Sequence, residues 1–496
     1  MTNSPSAPNE AFQSSSRPAK RRILFISLEF NYSPFSGNGV LARSLVSGLV
    51  CRNAEGYDIQ VRVICARPHP STNDLSSDIH MGESEHFDNC LEIWPVDLPM
   101  GCQWKRLDRH GPWKEFADGC TGSHGNVDCS QSVKDFEPLE VVVVDWHGML
   151  AWEQICNQLK RKNEGDRIRS IKCVYYNFRV YSASLWEHVD ADSSSEHTAG
   201  ETDDFYQNKE QQSCRMAGTI ICLSDHDRDH LEVLIKQDTM LESEECLVKL
   251  NSISILPPPL RGDILALANR EPGELLCHLP EEANAVIQQL SQDMSDKRPP
   301  RMFLTCMVRL SPEKSPHHFV PFIQKLGGVE FLRNANLIPL ICGAKSVESY
   351  AQSVLDDLST MCGDEWPFVV IDRFLGPEEM ASVLLCTSVN LHPCLYDAYG
   401  MTVVESTAFG AVSIVNSGGK VGATSLLKEG IGCVGVDLES IILGHGESVA
   451  GIVQQIQQHG ASLVEVRNNG RSLALGWDEE TYCMTLLKIL SSAAEY

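Results

Sequence analysis

Short apolar, β-branched runs alternate with helix-length segments along nearly the whole of this 496-residue chain. In the first half the runs are Ile23–Ile26, Val61–Ile64, Val141–Val144, Lys172–Tyr175, Thr219–Cys222 and Ile253–Leu256. In the second half they are Met302–Met307, Ile338–Ile341, Phe368–Ile371, Ser388–Leu391 and Val412–Val415. A run apolar throughout fits a strand covered on both faces, which means a parallel sheet with helical crossovers. The expected fold class is therefore α/β. The composition, 43% hydrophobic and 22% charged, excludes wholesale disorder, collagen and coiled coil.

The two sets of runs are separated by a different kind of sequence. Pro257-Pro258-Pro259 stops the last strand of the first set, and Pro299-Pro300 precedes the first strand of the second. This predicts a first domain over 21–262, an acidic helical connector over 263–300, and a second domain over 301–474 followed by a terminal helix over 475–496. Two segments interrupt the first domain. Residues 66–138 hold few strand signals and much Gly, His, Asp and Cys; residues 188–204 read as a mobile acidic loop. Residues 1–20 read as a disordered tail rich in Ser, Pro and Asn. A transit peptide is the competing reading, but no amphipathic Arg-rich pattern supports it.

Lys and Arg number 41 against 66 Asp and Glu, a net charge of −25. So acidic a surface repels phosphate backbones and anionic lipid, so nucleic acid is not an expected partner. A local pocket can still be positive and take a small anionic ligand. The 19 cysteines are odd in number and include no Cys-x-x-Cys pair. They read as reduced thiols of a cytoplasmic protein, several inside strands (Cys173, Cys222, Cys306, Cys342). No apolar run approaches the roughly 18 residues of a transmembrane segment.

Several clusters fall where strands end. The first strand leads into Ser36-Gly37-Asn38-Gly39-Val40. Gly37 and Gly39 let backbone approach a ligand, and the helix start offers unpaired N–H groups. A plain structural turn is the alternative. A dinucleotide fingerprint wants a third glycine where Ala42 stands, so a dehydrogenase reading is disfavoured. The run Val141–Val144 ends in Asp145-Trp146-His147-Gly148. His147 can bond a sugar hydroxyl or hold a proton there, or serve only the core.

Beyond Met307 come Arg309 and Lys314, around a Ser311-Pro312 helix start. One fixed guanidinium and one mobile ammonium beside a helix N-terminus suit a diphosphate; two solvated surface cations are the alternative. The densest stretch is His392-Pro393-Cys394-Leu395-Tyr396-Asp397-Ala398-Tyr399-Gly400-Met401-Thr402-Val403-Val404-Glu405. It places Asp397 in a strand-to-helix loop and Glu405 on the following helix. The backbone N–H groups of Gly400, Met401 and Thr402 lie at the positive end of that helix, ready for phosphate. Gly418-Gly419 forms another tight loop. Cys90, Cys102, Cys120 and Cys129 with His86, His110 and His124 lack the paired spacing of structural zinc, so no metal is expected.

These residues, in this order, resemble glycosyltransferase family 4, the retaining GT-B group that includes sucrose synthase and many bacterial mannosyltransferases. The matching stretches are Ile23–Gly48, Asp145-Trp146-His147, Ile220–Asp227, Val308–Lys314 and Leu391–Gly419, with Gly476-Trp477 before a closing helix. The resemblance implies two Rossmann-like domains facing each other across a cleft, acceptor on the first and nucleotide-sugar on the second, with the terminal helix crossing back to the first domain. Arg309 and Lys314 would neutralise the leaving diphosphate without metal or cofactor. Glu405 would bind the ribose, Gly37 to Gly39 would approach phosphate and acceptor, and His147 would touch the donor sugar. Asp397 takes the position of the family's first Glu, which contacts the transferred sugar. It is one methylene shorter, about 1.5 Å of reach, and a misplacement of about 1 Å can cost about 100-fold in rate.

The expected function is transfer of a hexose from a UDP- or GDP-sugar to a hydroxyl of an unidentified glycan, lipid or small molecule, with retention. A non-catalytic GT-B protein that binds nucleotide-sugar or a protein partner is the alternative. An epimerase or phosphorylase is a third, and the chain offers no clear pyridoxal-phosphate lysine.

Overall fold

The computed structural model describes residues 20–30, 32, 37–51, 58–69, 90–102, 111–126, 128–183, 199–291, 302–443 and 461–492. Its strands form two sheets. The first holds β1 (Arg21–Ser27), β2 (Ile59–Arg67), β3 (Leu91–Asp97), β4 (Glu140–Val144), β5 (Lys172–Tyr176), β6 (Thr219–Cys222) and β7 (Ile253–Ile255). The second holds β8 (Phe303–Met307), β9 (Ile338–Cys342), β10 (Val369–Ile371), β11 (Thr387–Leu391), β12 (Val412–Asn416) and β13 (Val434–Val436). Their spatial orders are β3-β2-β1-β4-β5-β6-β7 and β10-β9-β8-β11-β12-β13. Every paired neighbour runs parallel.

The central strands are buried on both sides, as their apolar sequences require. Along β4, Val142 and Val144 enter one core while Val141 and Val143 enter the other. That two-residue alternation is the pleat of a strand sandwiched between helical layers.

Helices bear the crossovers. Those that shape the site are α1 (Gly37–Cys51), α2 (Asp145–Arg161), α3 (Asp225–Gln237) and α4 (Met401–Ala408). Short helices Gly262–Ala268, Pro272–Leu275 and Glu281–Ser291 link the two sheets. After α5 (Ala461–Gly476) the chain turns at Trp477, and α6 (Glu479–Ser492) returns to the first domain. There Cys483 Sγ meets Leu45 O of α1 at 3.8 Å, and the Tyr482 hydroxyl meets that of Tyr176 on β5 at 2.5 Å. Trp477 fixes the turn by donating Nε1–H to Pro257 O (2.9 Å) and accepting from Leu260 N (2.9 Å). One apolar cluster consequently runs from α1 and β1 through Leu256–Leu267 and α6 into the second domain.

Some local expectations differ from the structure. The stretch 66–138 contains an edge strand, β3, and helices Trp113–Gly119 and Cys129–Phe136. Part of 188–204 is helical, because a helix begins at Ala199; residues 184–198 lie outside the described residues. Pro312 starts a 3-10 turn, Pro312–Lys314, rather than an α-helix, and a second such turn follows at Pro316–His318. Proline has no N–H to give the ladder, so two prolines four positions apart leave only short i→i+3 turns. The tail 1–19 and Pro299-Pro300 lie outside the described residues. Among the described residues, no helix is long and apolar enough to cross a membrane.

Candidate active site

In an open parallel sheet a ligand crevice forms at the carboxyl ends of the strands where the strand order reverses. In the second sheet that point lies between β8 and β11. The loop after β8 carries Arg309 and Lys314, and the loop after β11 carries Asp397. In the first sheet the reversal lies between β1 and β4. The chain after β1 leads to Gly37, and Asp145 follows β4.

Lys314 and Asp397 meet. Lys314 Nζ stands 2.7 Å from Asp397 Oδ2. His392 Nε2 reaches the same oxygen at 3.1 Å. The backbone holds both partners. Asp397 N donates to Lys420 O (3.1 Å), and Gly422 N donates to Asp397 O (2.9 Å). The Cys394 thiol donates to Lys314 O at 3.2 Å. Ser315, next to Lys314, takes the left-handed conformation (φ +50°) between the two 3-10 turns.

The electrostatics follow from this cluster. Burial pushes the Asp397 carboxyl upward, but Lys314 and His392 outweigh it and hold the group well below the usual carboxylate range. Burial pulls the His392 imidazole downward, but Cys394 and Asp397 overcome that and raise it to about 9. At neutral pH these shifts favour a protonated His392 beside an ionised Asp397. Among the described residues, His392, Cys394 and Asp397 form the one trio whose donor atoms lie close enough for a metal ion, all within 4.8 Å of one another. Lys314 stands against a resident divalent ion there, because its ammonium already pairs with the carboxylate oxygen the ion would use.

Gly400 caps α4 with φ +82°. A Cβ at this position would lie 3.3 Å from His392 Nε2 and 3.2 Å from Val421 Cγ1, so only glycine fits both the backbone and the space. Met401 and Thr402 begin α4 and are half-buried. Across the cleft, a Cβ built on Gly37 would lie 3.9 Å from Met401 Sδ. The structure thus brings Gly37 of one domain to the helix start of the other. Gly39 is buried within α1.

Arg309 and Glu405 are held in pairs of their own. The Arg309 guanidinium contacts Glu313, whose carboxyl is pulled up by burial but held low overall, chiefly by Arg309. Glu405 lies on α4, buried, with Oε1 3.3 Å from Arg261 Nε. Burial raises its carboxyl and Arg261 opposes the rise. Gly418 N and Gly419 N donate to the Glu429 carboxylate at 3.4 and 2.8 Å.

On the first domain, Asp145 takes a left-handed conformation (φ +53°) at the end of β4. Strain of this kind in a non-glycine residue persists only where neighbours impose it. Here Oδ1 accepts from Phe178 N (2.7 Å) and Oδ2 from Asn38 Nδ2 (2.9 Å), tying β4 to the chain after β5 and to α1. Burial pushes its carboxyl up to about 8. His147, on the first turn of α2, is buried against Trp146, Tyr181 and Trp113, with ring centroids 4.0, 5.3 and 5.5 Å away. Burial lowers its imidazole to about 3, so the ring is neutral, and its Nε2 has no hydrogen-bond partner among the described residues.

Sequence reasoning gave no role to His392, Arg261, Glu313, Tyr396 or Asp227. The last two join the domains: the Tyr396 hydroxyl donates to Asp227 Oδ1 at 2.9 Å. Ser224-x-x-Asp227, a helix-start signature, was the available signal; Ser224 N-caps α3. Arg261 offered none, because its partner is distant in the chain.

No family model and no curated protein sequence matches this chain. Solved structures do. HepE of Anabaena, in complex with UDP and glucose, aligns over 95% of this chain and 100% of its own, with 12% identity and a TM-score of 0.58. Sucrose-phosphate synthase of Thermosynechococcus elongatus aligns over 95% and 99%, with 13% identity and a TM-score of 0.60. The trehalose-6-phosphate synthase OtsA aligns over 96% and 99%, with 10% identity and a TM-score of 0.64. At such identities the likeness establishes the fold: two Rossmann-like domains in the GT-B arrangement, as the family-4 resemblance implies.

Proposed function

We propose that the protein is a retaining hexosyltransferase that moves a sugar from a UDP- or GDP-sugar to a hydroxyl acceptor. The observation that carries this reading is the Lys314–Asp397–His392 cluster at the reversal point of the second sheet, with Gly37 of the first domain at the neighbouring helix start. Fold likeness to HepE, whose structure holds UDP and glucose, supports a UDP-sugar donor.

When the bond from the sugar to its diphosphate breaks, negative charge grows on the phosphate oxygens. Lys314, Arg309 and the N–H groups at Gly400 to Thr402 are the preorganised donors that stabilise it, with no metal or other cofactor required. Arg309 reaches the phosphate by exchanging or sharing Glu313. Asp397 and His147 contact the hexose. Glu405 takes the ribose hydroxyls while Arg261 keeps its charge balanced. The acceptor hydroxyl attacks on the face the diphosphate leaves, from the first domain. The compartment we assign is the cytoplasm, from the reduced-thiol reading of the cysteines.

The test is release of labelled sugar or transfer from UDP- and GDP-hexoses by wild type and Lys314→Ala. We expect the variant to lose roughly 100- to 1,000-fold in kcat, the scale of one lost oxyanion donor. Equal turnover by the two proteins would refute the clamp.

One observation favours a second reading, a GT-B protein that binds nucleotide-sugar or a protein partner without turnover. Arg309, Lys314 and Glu405 each already have an opposite charge within the chain. Calorimetry would separate the two: nucleotide binding without turnover across donors and acceptors supports the binding protein, and robust transfer removes it.

A further inference from the structure

We propose that Asp227 of the first domain is a positioning residue for the reaction, acting through Tyr396 to fix Asp397 relative to the opposing domain. This rests on the transferase reading above and names a part of its machinery outside the donor pocket.

Tyr396 is the chain neighbour of Asp397, so its ring and the carboxylate share one stretch of backbone. Its hydroxyl crosses the cleft to Asp227 Oδ1 at 2.9 Å, and its ring lies against His226 with centroids 5.2 Å apart. Asp227 is fully buried and fixed from its own side. Its Oδ2 accepts from Ser224 Oγ (2.8 Å), and its backbone N donates to the same Oγ (3.1 Å). The N-cap of α3 therefore sets the rotamer of the carboxylate that receives the tyrosine.

A second contact grips the other flank of Asp397. Asp225 N donates to Ser425 Oγ at 3.0 Å, and Ser425 Oγ donates to Asp225 Oδ2 at 3.2 Å. Ser425 lies just beyond the Lys420–Gly422 segment whose backbone pairs with Asp397 on both sides. The stretch Ser224–Asp227 thus holds the Asp397 loop from before, through Tyr396, and from beside, through Ser425. A tyrosine has only two side-chain torsions, so a shift at its hydroxyl passes to the backbone with little slack. Misplacement of a reacting group by about 1 Å can cost about 100-fold in rate.

Tyr396→Phe removes only the hydroxyl. Asp227→Ala removes the acceptor, whereas Asp227→Asn keeps an oxygen to receive the bond. We expect Tyr396→Phe and Asp227→Ala each to lower kcat about tenfold with donor KM within about twofold, and Asp227→Asn to retain most of the rate. The Tyr396→Phe/Asp227→Ala double variant should be no slower than the slower single, because both remove one interaction. Rates are taken per folded molecule, so lost stability alone cannot imitate the result. Unchanged kcat in both single variants, or a double variant whose losses multiply, overturns the proposal.

Wild-type turnover is measured first, so the two claims fail separately. If no donor turns over, the transfer reading falls, and positioning is read from amide hydrogen exchange of the Asp397 loop. Tyr396→Phe and Asp227→Ala should then speed exchange at Asp397 N and Gly422 N, whose hydrogen bonds hold that loop, and Asp227→Asn should not; identical exchange in all four proteins overturns it.

Discussion

His392 and Asp397 are displaced in opposite directions and stabilise the fold over opposite ends of the pH scale. The His392 imidazole is raised to about 9, so its contribution is full below its unfolded value near 6.5 and is lost as pH climbs through about 9. The Asp397 carboxyl is lowered, so its contribution is present above its unfolded value near 4 and is lost as pH falls through the depressed folded value. Thermal unfolding of the wild type should therefore show a loss spread between about pH 6.5 and about pH 9, and His392→Gln should flatten that limb and shrink the acid limb in part, because Lys314 alone then holds Asp397 low. The shortness of Asp397 gains a reason at this scale: Lys314 and His392 close on its one oxygen at 2.7 and 3.1 Å. We expect Asp397→Glu to lower transfer rather than raise it, because an added methylene in a filled site costs about 1–3 kcal/mol; a faster variant in the same donor assay would contradict this. Lys314 and Asp397 were legible because both sit at strand ends beside proline and glycine. The pair Arg261–Glu405 was not, because a carboxylate's choice of cation is made in space and many cations in the chain look alike; Arg309–Glu313, only four positions apart, was within reach of the sequence and went unread.

At the scale of elements, what was legible followed burial. Eleven apolar runs match eleven strands. The two left unseen, β3 and β13, are sheet edges. An edge strand is covered less completely and can carry charge, proline or glycine, as in Leu-Glu-Ile-Trp-Pro-Val-Asp and Val-Gly-Val. The Pro312 turn went unseen for the opposite reason: its Ser-Pro start is a true helix signal, cancelled by Pro316. The α4 start is the element most sensitive to a small change. Gly400→Ala meets a left-handed backbone and three atoms at 3.2–3.3 Å. We expect a loss of about 1–2 kcal/mol from the backbone alone, read as a lower urea midpoint, with weaker UDP binding as α4 shifts; an unchanged midpoint would show that the loop relaxes freely.

For the whole molecule, the two domains share one apolar cluster, and α6 is the piece that closes it. Leu486 is fully buried there. Leu486→Ala should destabilise by about 2–5 kcal/mol, the usual range for emptying such a site, and it should do so in a single transition if the domains unfold together. Two separated transitions in a urea titration would show instead that α6 serves the first domain alone. Contacts of this span are the least legible in a sequence, because apolar residues at helical spacing say that a helix is covered but not by what.

That closing helix also sets an order of events during translation. Cys483 meets Leu45 across 438 positions. A ribosome adding about 5–20 residues per second leaves the flank of α1 bare for on the order of a minute while the second domain is made. The nascent first domain is thus born with a greasy seam that its own chain seals last, and that interval is when a chaperone has most to protect.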